Sequence, residues 1–299
     1  MKVAISGVTG LLGTALRSSL TSDGHDVIAL SRRPSLPPLE TITWDVANGR
    51  FDASALEGLD AVVHLAGEPV AQRWNETTKK NIRQSRIGST RLLIEGLRSL
   101  KNPPKVLVSA SAVGFYGDGG DAALDESSPP GDGFLPDVCQ EWEKTTMEAL
   151  GLGIRAACMR TGIVLSTKGG ALAQMLPPFK LGLGGPLGNG AQWMPWVHID
   201  DIVGAFRFVI QNDDLVGAVN GTSPNPVTNT DFTKALGQAL HRPAFLPVPG
   251  FALKILFGEM SQILLEGQRV EPKKLLTTGY EFKYPHLPEA LEDILHQRK

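Results

Sequence analysis

Gly7-Val8-Thr9-Gly10-Leu11-Leu12-Gly13 decides the fold of this chain. The apolar run Val3-Ala4-Ile5-Ser6 before it reads as a buried N-terminal strand. After it, Thr14-Ala15-Leu16-Arg17-Ser18-Ser19-Leu20 carries apolar residues at helical spacing. Strand, glycine-rich turn and helix form the context that a dinucleotide fingerprint requires. The glycines permit a tight turn and close approach of the backbone to a pyrophosphate. The helix start then offers unpaired N–H groups and the positive end of its dipole to that anion.

The next strand, Val27-Ile28-Ala29-Leu30, ends in Ser31-Arg32-Arg33. An NAD site usually places an acid here, about 20 residues past the glycines, to hold the ribose 2′-hydroxyl. No acid stands at this strand end, and Asp26 lies at the other end. A guanidinium suits a phosphate dianion, because it is permanently charged and presents a planar fork of donors. Ser31, Arg32 and Arg33 therefore point to NADP(H) rather than NAD(H).

Bulk composition narrows the function class. The 299 residues are 42% hydrophobic and 20% charged, which suits one large domain or a large domain with a smaller appendage. The net charge of −2 gives no reason to expect a nucleic-acid or acidic-membrane partner. The two cysteines, Cys139 and Cys158, make no disulfide framework, so a reducing cytoplasm is expected. With a first strand expected from Lys2, no signal peptide is expected, and no apolar run is long enough to span a bilayer.

Strand-like and helix-like patterns alternate through about residue 165. Strands are expected at Lys2–Ser6, Val27–Leu30, Thr41–Trp44, Ala61–Leu65, Lys105–Ser109 and Ile154–Arg160, and helices near 10–21, 76–100 and 136–150. This alternation predicts an α/β fold with a doubly wound parallel sheet. From Thr167 onward glycine and proline become frequent. The expected organisation is a dinucleotide-binding domain over 1–166, with the chain returning to it around 196–222. A smaller substrate-binding lobe over 167–299 would contain helices at 229–240 and 287–297. Leu181 to Gly190 lacks the strand, helix and Lys-Ser/Thr pair of a phosphate loop and reads as a mobile loop over a pocket.

Several motifs resemble the extended branch of the short-chain dehydrogenase/reductase superfamily. They are the Gly7–Gly13 stretch, His64-Leu65-Ala66-Gly67, Ser109-Ala110-Ser111-Ala112-Val113-Gly114-Phe115-Tyr116-Gly117 and Val197-His198-Ile199-Asp200-Asp201. A subgroup of epimerase family proteins, some described as NADP-dependent oxidoreductases, is more similar still. It shares Gly67-Glu68, Arg73-Trp74-Asn75, Ser85-Arg86, Pro186 to Trp196, and Glu266-Gly267-Gln268-Arg269-Val270. The resemblance implies a Rossmann domain, bound NADP(H) and a C-terminal substrate lobe. It also implies site residues. Gly7, Thr9, Gly10, Leu11, Leu12 and Gly13 would meet the pyrophosphate, and Ser31, Arg32 and Arg33 the 2′-phosphate. Leu65, Ala66 and Gly67 would form the strand end beside the ribose, with Glu68 just beyond, and Asn81 and Arg86 would lie on the following helix, Arg86 within reach of the cofactor. Arg160, Thr161, Gly162 and Ile163 would lie towards the nicotinamide. Ser109 either joins the cofactor site or simply hydrogen-bonds at its strand end. Pairing of helices into a homodimer is a further expectation from the superfamily.

One superfamily signature is missing. Its chemistry normally uses Tyr-x-x-x-Lys with a nearby Ser or Thr, the lysine lowering the phenol pKa for proton exchange with an alcohol or ketone. Here Cys139 falls at the tyrosine position and Glu143 at the lysine position. A carboxylate one helical turn away disfavours the thiolate. Cys139 as a weak proton donor and Glu143 or Tyr116 as acid–base group remain open, as does a site without ketone–alcohol chemistry. Ser111 is the best match to the active-site serine, with Ala112 as the neighbouring register. His64 reads as a packed strand histidine. Trp193, Pro195, Trp196 and His198 either line a substrate pocket or pack in the core, and Asp200 or Asp201 is expected to cap the next helix. No metal site is expected.

The expected function is an NADP(H)-dependent oxidoreductase or epimerase-like enzyme acting on a small polar metabolite. An NADP(H)-binding sensor or scaffold with little catalysis is the alternative, because an intact cradle stands beside a dismantled catalytic pair.

Overall fold

In Lys2–Ser6, alternate side chains serve opposite layers. Val3 and Ile5 join one core, with Leu16, Leu20, Ile202 and Phe206. Ala4 faces the other, with Leu93, Ile94 and Leu97. Both faces of the strand are covered by helices, and burial on both sides explains its unbroken apolar run.

The computed structural model describes residues 1–32 and 36–296, so Arg33 lies outside the described residues. An eight-stranded sheet forms its centre. The order is Gly217–Gly221, Arg155–Thr161, Val106–Ala112, Ala61–His64, Lys2–Ser6, Asp26–Ser31, Glu40–Asp45 and Arg50–Phe51. All neighbours pair in parallel except the last two strands. The order reverses beside Lys2–Ser6, which opens the crevice where dinucleotides bind in such sheets.

The segment 196–222 packs with the Rossmann part of the chain. Trp196–His198 pairs in parallel with Ile163–Leu165, Ile199–Gln211 packs on the first helix, and Gly217–Gly221 completes the main sheet. The lobe proper has its own core, where Phe179, Trp196, Phe232 and Leu291 meet. Trp196 is a core residue rather than a pocket wall. The Leu181–Gly190 stretch is tied down: Gly184 accepts from Leu246 N–H, Val248 donates to Pro186, and Gly188 donates to Val248. Among the described residues, no helix is long and apolar enough to cross a membrane.

Asp200 and Asp201 do not cap the helix Ile199–Gln211. His198 does, its Nδ1 accepting from Asp200 N–H at 3.0 Å. The Asp201 carboxylate instead accepts from Lys283 N–H at 2.7 Å and Tyr284 N–H at 3.0 Å, anchoring the C-terminal segment. His198 is fully buried, stacks on Tyr284 and faces Asp293 at 3.2 Å, so it lines no pocket.

Candidate functional site

At the crevice, Gly7 takes φ +69°, and a Cβ there would lie 2.9 Å from the Leu65 backbone. A Cβ on Gly13 would lie 2.2 Å from the Gly7 carbonyl oxygen. Only glycine lets the turn close and the helix seat against it. The helix Leu11–Ser22 begins with no side-chain cap and no acid in its first turn. Thr9 and Gly10 are exposed, and Leu11 and Leu12 are half-buried. The first N–H groups are thus left for an anion. On the neighbouring strand Ser31 is half-buried and Arg32 exposed.

The other wall of the crevice is held by a hydrogen-bond chain that sequence reasoning missed. Leu65 and Ala66 N–H donate to Ser6 Oγ at 3.1 and 3.2 Å. That leaves the Ser6 hydroxyl proton for His64 Nδ1 at 2.6 Å. Ser89 donates to the Ser85 carbonyl at 2.6 Å, so His64 Nε2 donates to Ser89 Oγ at 3.0 Å. The ring is therefore neutral with its proton on Nε2. Burial, then the Arg86 charge, pushes its pKa down from 6.5 to about 3.

This histidine makes a pH prediction. The unfolded chain protonates it below 6.5, the native chain only near 3. Its contribution is complete above pH 6.5 and is lost as pH falls, by up to about 1.4 kcal/mol per unit. Urea unfolding at pH 7 and pH 5 should show wild type losing about 2 kcal/mol more than His64→Asn. Equal losses in the two proteins would refute the neutral, locked ring.

The helix expected over 76–100 is not regular. It runs as α-helix over Glu76–Arg83, widens to a π-turn over Gln84–Gly88, and resumes over Ser89–Arg98. Side chains satisfy the carbonyls at the widening. Ser85 Oγ and Arg86 Nη1 donate to the Ile82 carbonyl at 3.0 and 3.2 Å, and Thr90 donates to that of Arg86 at 2.7 Å. Such turns cluster at functional sites. This one directs Arg86 back over the strand end, where Nη1 donates to the Glu68 carbonyl at 3.0 Å. Glu68 N–H donates to Ser85 Oγ at 2.9 Å. Asn81 is exposed on the regular turn before it.

Sheet register places the candidate catalytic residues beyond the crevice. Ser6, His64 and Ser109 lie in one row, while Ser111, Arg160 and Asn220 form the row two residues further along. Ser109 is fully buried and donates to the Ala110 carbonyl, so its hydroxyl is not presented to a cofactor. Thr161 donates to the Met159 carbonyl, and Gly162 and Ile163 are pinned to Gly221 and Pro195.

The Arg160 guanidinium is engaged on every nitrogen by protein groups. Its Nε and Nη2 each donate to Glu143 at 2.8 Å, one to each carboxylate oxygen. Nη1 donates to Tyr116 Oη at 2.9 Å, and the guanidinium stacks 3.4 Å from the Phe115 ring centroid. Ser111 Oγ donates to Glu143 Oε1 at 2.6 Å. Tyr116 in turn donates to Asn220 Oδ1 at 2.7 Å, with the Asp125 carbonyl at 2.9 Å. A strand arginine in an apolar run signals that a buried partner must exist. The sequence carried that signal but did not name Glu143.

The open acid–base alternatives can be judged from this geometry. Burial, then the Glu143 charge, pushes the Cys139 thiol up to about 12. Burial also pushes the Tyr116 phenol up to about 12, against the charge of Arg160. Neither exchanges a proton easily near neutral pH. Glu143 has its lone pairs engaged by Arg160 and Ser111. Ser111 is buried, gives its proton to Glu143 and has the Cys139 thiol as a further hydrogen-bond partner.

The family follows from comparison with known proteins. A model described as the NAD dependent epimerase/dehydratase family matches residues 3–220. The chain belongs to that family. A domain of unknown function, DUF1731, matches residues 248–294. The human epimerase family protein SDR39U1 is 40% identical over 300 residues, covering 99% of this chain and all of the relative. A chloroplastic homologue from Arabidopsis thaliana is also 40% identical, over 99% of this chain and 87% of its own. A crystal structure of human SDR39U1 (isoform 2) with NADPH superposes with a TM-score of 0.88 at 38% identity, covering 98% of this chain and 99% of that one. The epimerase family fold thus extends across the C-terminal lobe as well as the Rossmann domain.

Proposed function

We propose that this epimerase family member binds NADP(H) and acts as an oxidoreductase on a small polar metabolite. The carrying observation is the uncapped glycine cradle beside a strand that ends in Ser31-Arg32 with no acid. The NADPH in the human SDR39U1 structure supports the same choice. Gly7, Gly10 and the first turn of the helix would hold the pyrophosphate, and Ser31 and Arg32 the 2′-phosphate. When bound, the cofactor supplies hydride chemistry at its nicotinamide. The chain's part is position and proton management. Cys139 and Tyr116 stay protonated, and Ser111 gives its proton to Glu143. Standard Tyr–Lys proton exchange is therefore not how this site works, and sugar epimerisation by that route is disfavoured. Two free, buried cysteines suit a reducing compartment such as the cytoplasm.

A paired calorimetric titration tests the cofactor. NADPH should bind wild type tightly and NADH weakly. Arg32→Ala should lose roughly tenfold to a hundredfold in NADPH affinity while NADH affinity is unchanged, because a charged hydrogen bond is worth about 1.5–3 kcal/mol. Absence of binding by either nucleotide would overturn the oxidoreductase reading.

A further inference from the structure

The charges around the candidate active site do not cancel. Arg160 and Glu143 neutralise each other through two hydrogen bonds. Arg86 has no carboxylate within ion-pair distance among the described residues. Only its Nη1 is engaged, by the Glu68 and Ile82 carbonyls and Ser85 Oγ. Nε and Nη2 make no hydrogen bond among the described residues. The guanidinium lies against the Trp142 ring, 5.3 Å from its centroid, on the helix that carries Cys139. Its flat face covers Gly67, where a Cβ would come within 3.2 Å of Cζ. The guanidinium is thus half-buried at the strand end with donors left for a ligand.

We infer that the free guanidinium edge of Arg86 holds the ribose hydroxyls on the nicotinamide side of the dinucleotide. This rests on the NADP(H) reading above. Sheet order assigns the side. Arg32 follows the strand next to Lys2–Ser6 in one direction, and Gly67 follows the strand next to it in the other. The two arginines therefore flank the cradle, one towards the 2′-phosphate and one towards the opposite half of the cofactor. A guanidinium edge carries two parallel donors, and a vicinal diol offers two acceptor oxygens side by side. The π-turn directs the cation to this strand end. It supplies the cation from the helix after Ala61–His64. Burial lowers the Arg86 pKa, and its charge opposes the upward shift of Cys139, so the cation and the thiol share one environment.

Fragment binding separates this role from a structural one. Arg86→Met should weaken NADPH and NADH by the same factor, about tenfold to a hundredfold. It should leave 2′,5′-ADP, which lacks the nicotinamide half, within about twofold of wild type. Arg32→Ala should do the reverse, weakening NADPH and 2′,5′-ADP together. An Arg86→Met protein that binds NADPH like wild type overturns the inference. So does one that loses 2′,5′-ADP equally, since the arginine would then only support the cradle. Should the methionine variant not fold, Arg86→Lys carries the same comparison with charge retained and the fork removed. Wild type that binds neither dinucleotide would refute the NADP(H) reading instead, so the two failures are distinguishable.

Discussion

Replacing Arg160 by methionine is expected to lower the unfolding free energy by about 3–5 kcal/mol. The pair with Glu143 is deeply buried, with side-chain exposures of 5% and 12%. Burial alone would lower the Arg160 pKa, but the hydrogen bonds and charge of Glu143 more than offset it and raise it. Removing the guanidinium leaves a carboxylate in that environment with only Ser111 to solvate it. It also strips Tyr116 of one donor and uncovers the Phe115 ring. Most of the cost is thus an abandoned charge, not a lost attraction. The double variant Arg160→Met/Glu143→Met should therefore recover most of the loss, because an apolar pair of similar volume often replaces a buried ion pair at little cost. Chemical denaturation of the two singles and the double gives the coupling directly, expected at about 2 kcal/mol or more. Additive losses would mean that Glu143 is solvated by groups other than Arg160. The same cycle bears on chemistry. If Glu143 held a catalytic proton, the double variant would be inactive but stable. If it only anchors Arg160, the double variant should keep its nucleotide affinity.

The dinucleotide cradle was legible because it is written in backbone constraints. Gly7 and Gly13 are fixed by contacts of 2.9 and 2.2 Å that any Cβ would violate, and such constraints survive into local sequence. The parallel sheet covered on both faces followed from the alternation of strand-like and helix-like segments through about residue 165. The π-turn at Gln84–Gly88 left no such trace. Its apolar positions continue a helical period, and its extra residue is stabilised by Ser85, Ser89 and Thr90 through bonds that hydrophobic patterning does not encode. The direction of Arg86 was hidden with it.

Long-range polar pairing was the other blind spot. Glu143 sits one helical turn from Cys139, and helical geometry rightly set the two together. Nothing local revealed that a strand residue, Arg160, would claim both carboxylate oxygens. The expected cap by Asp200 or Asp201 failed for a similar reason. Asp200 and Asp201 have the composition of a helix start, but Asp201 is drawn away by two N–H groups of the C-terminal segment, 82 and 83 residues on. Local propensity lost to a tertiary demand in both places, and both places lie where the second lobe or the candidate site meets the sheet.

Gly13→Ala should abolish measurable dinucleotide binding and destabilise the fold, whereas Gly10→Ala should do only the first. The two glycines stand three residues apart in one motif but carry different constraints. A Cβ on Gly13 meets the Gly7 carbonyl oxygen at 2.2 Å, against fixed backbone on both sides. The helix Leu11–Ser22 must shift by close to 1 Å, and overpacking of this kind costs about 1–3 kcal/mol. That shift moves the very N–H groups that face the pyrophosphate, and a displacement of about 1 Å is enough for a hundredfold functional loss. Gly10 has φ −73° and its Cβ would lie 3.3 Å from the same oxygen, so the fold accepts alanine with a cost below about 1 kcal/mol. Its methyl would instead project from the exposed lip of the cradle, where the anion must approach the backbone. Thermal or urea unfolding together with NADPH titration reads both effects. A Gly10→Ala protein with wild-type stability and wild-type affinity would move the anion away from the helix start, and with it the cofactor assignment that the glycine stretch supports.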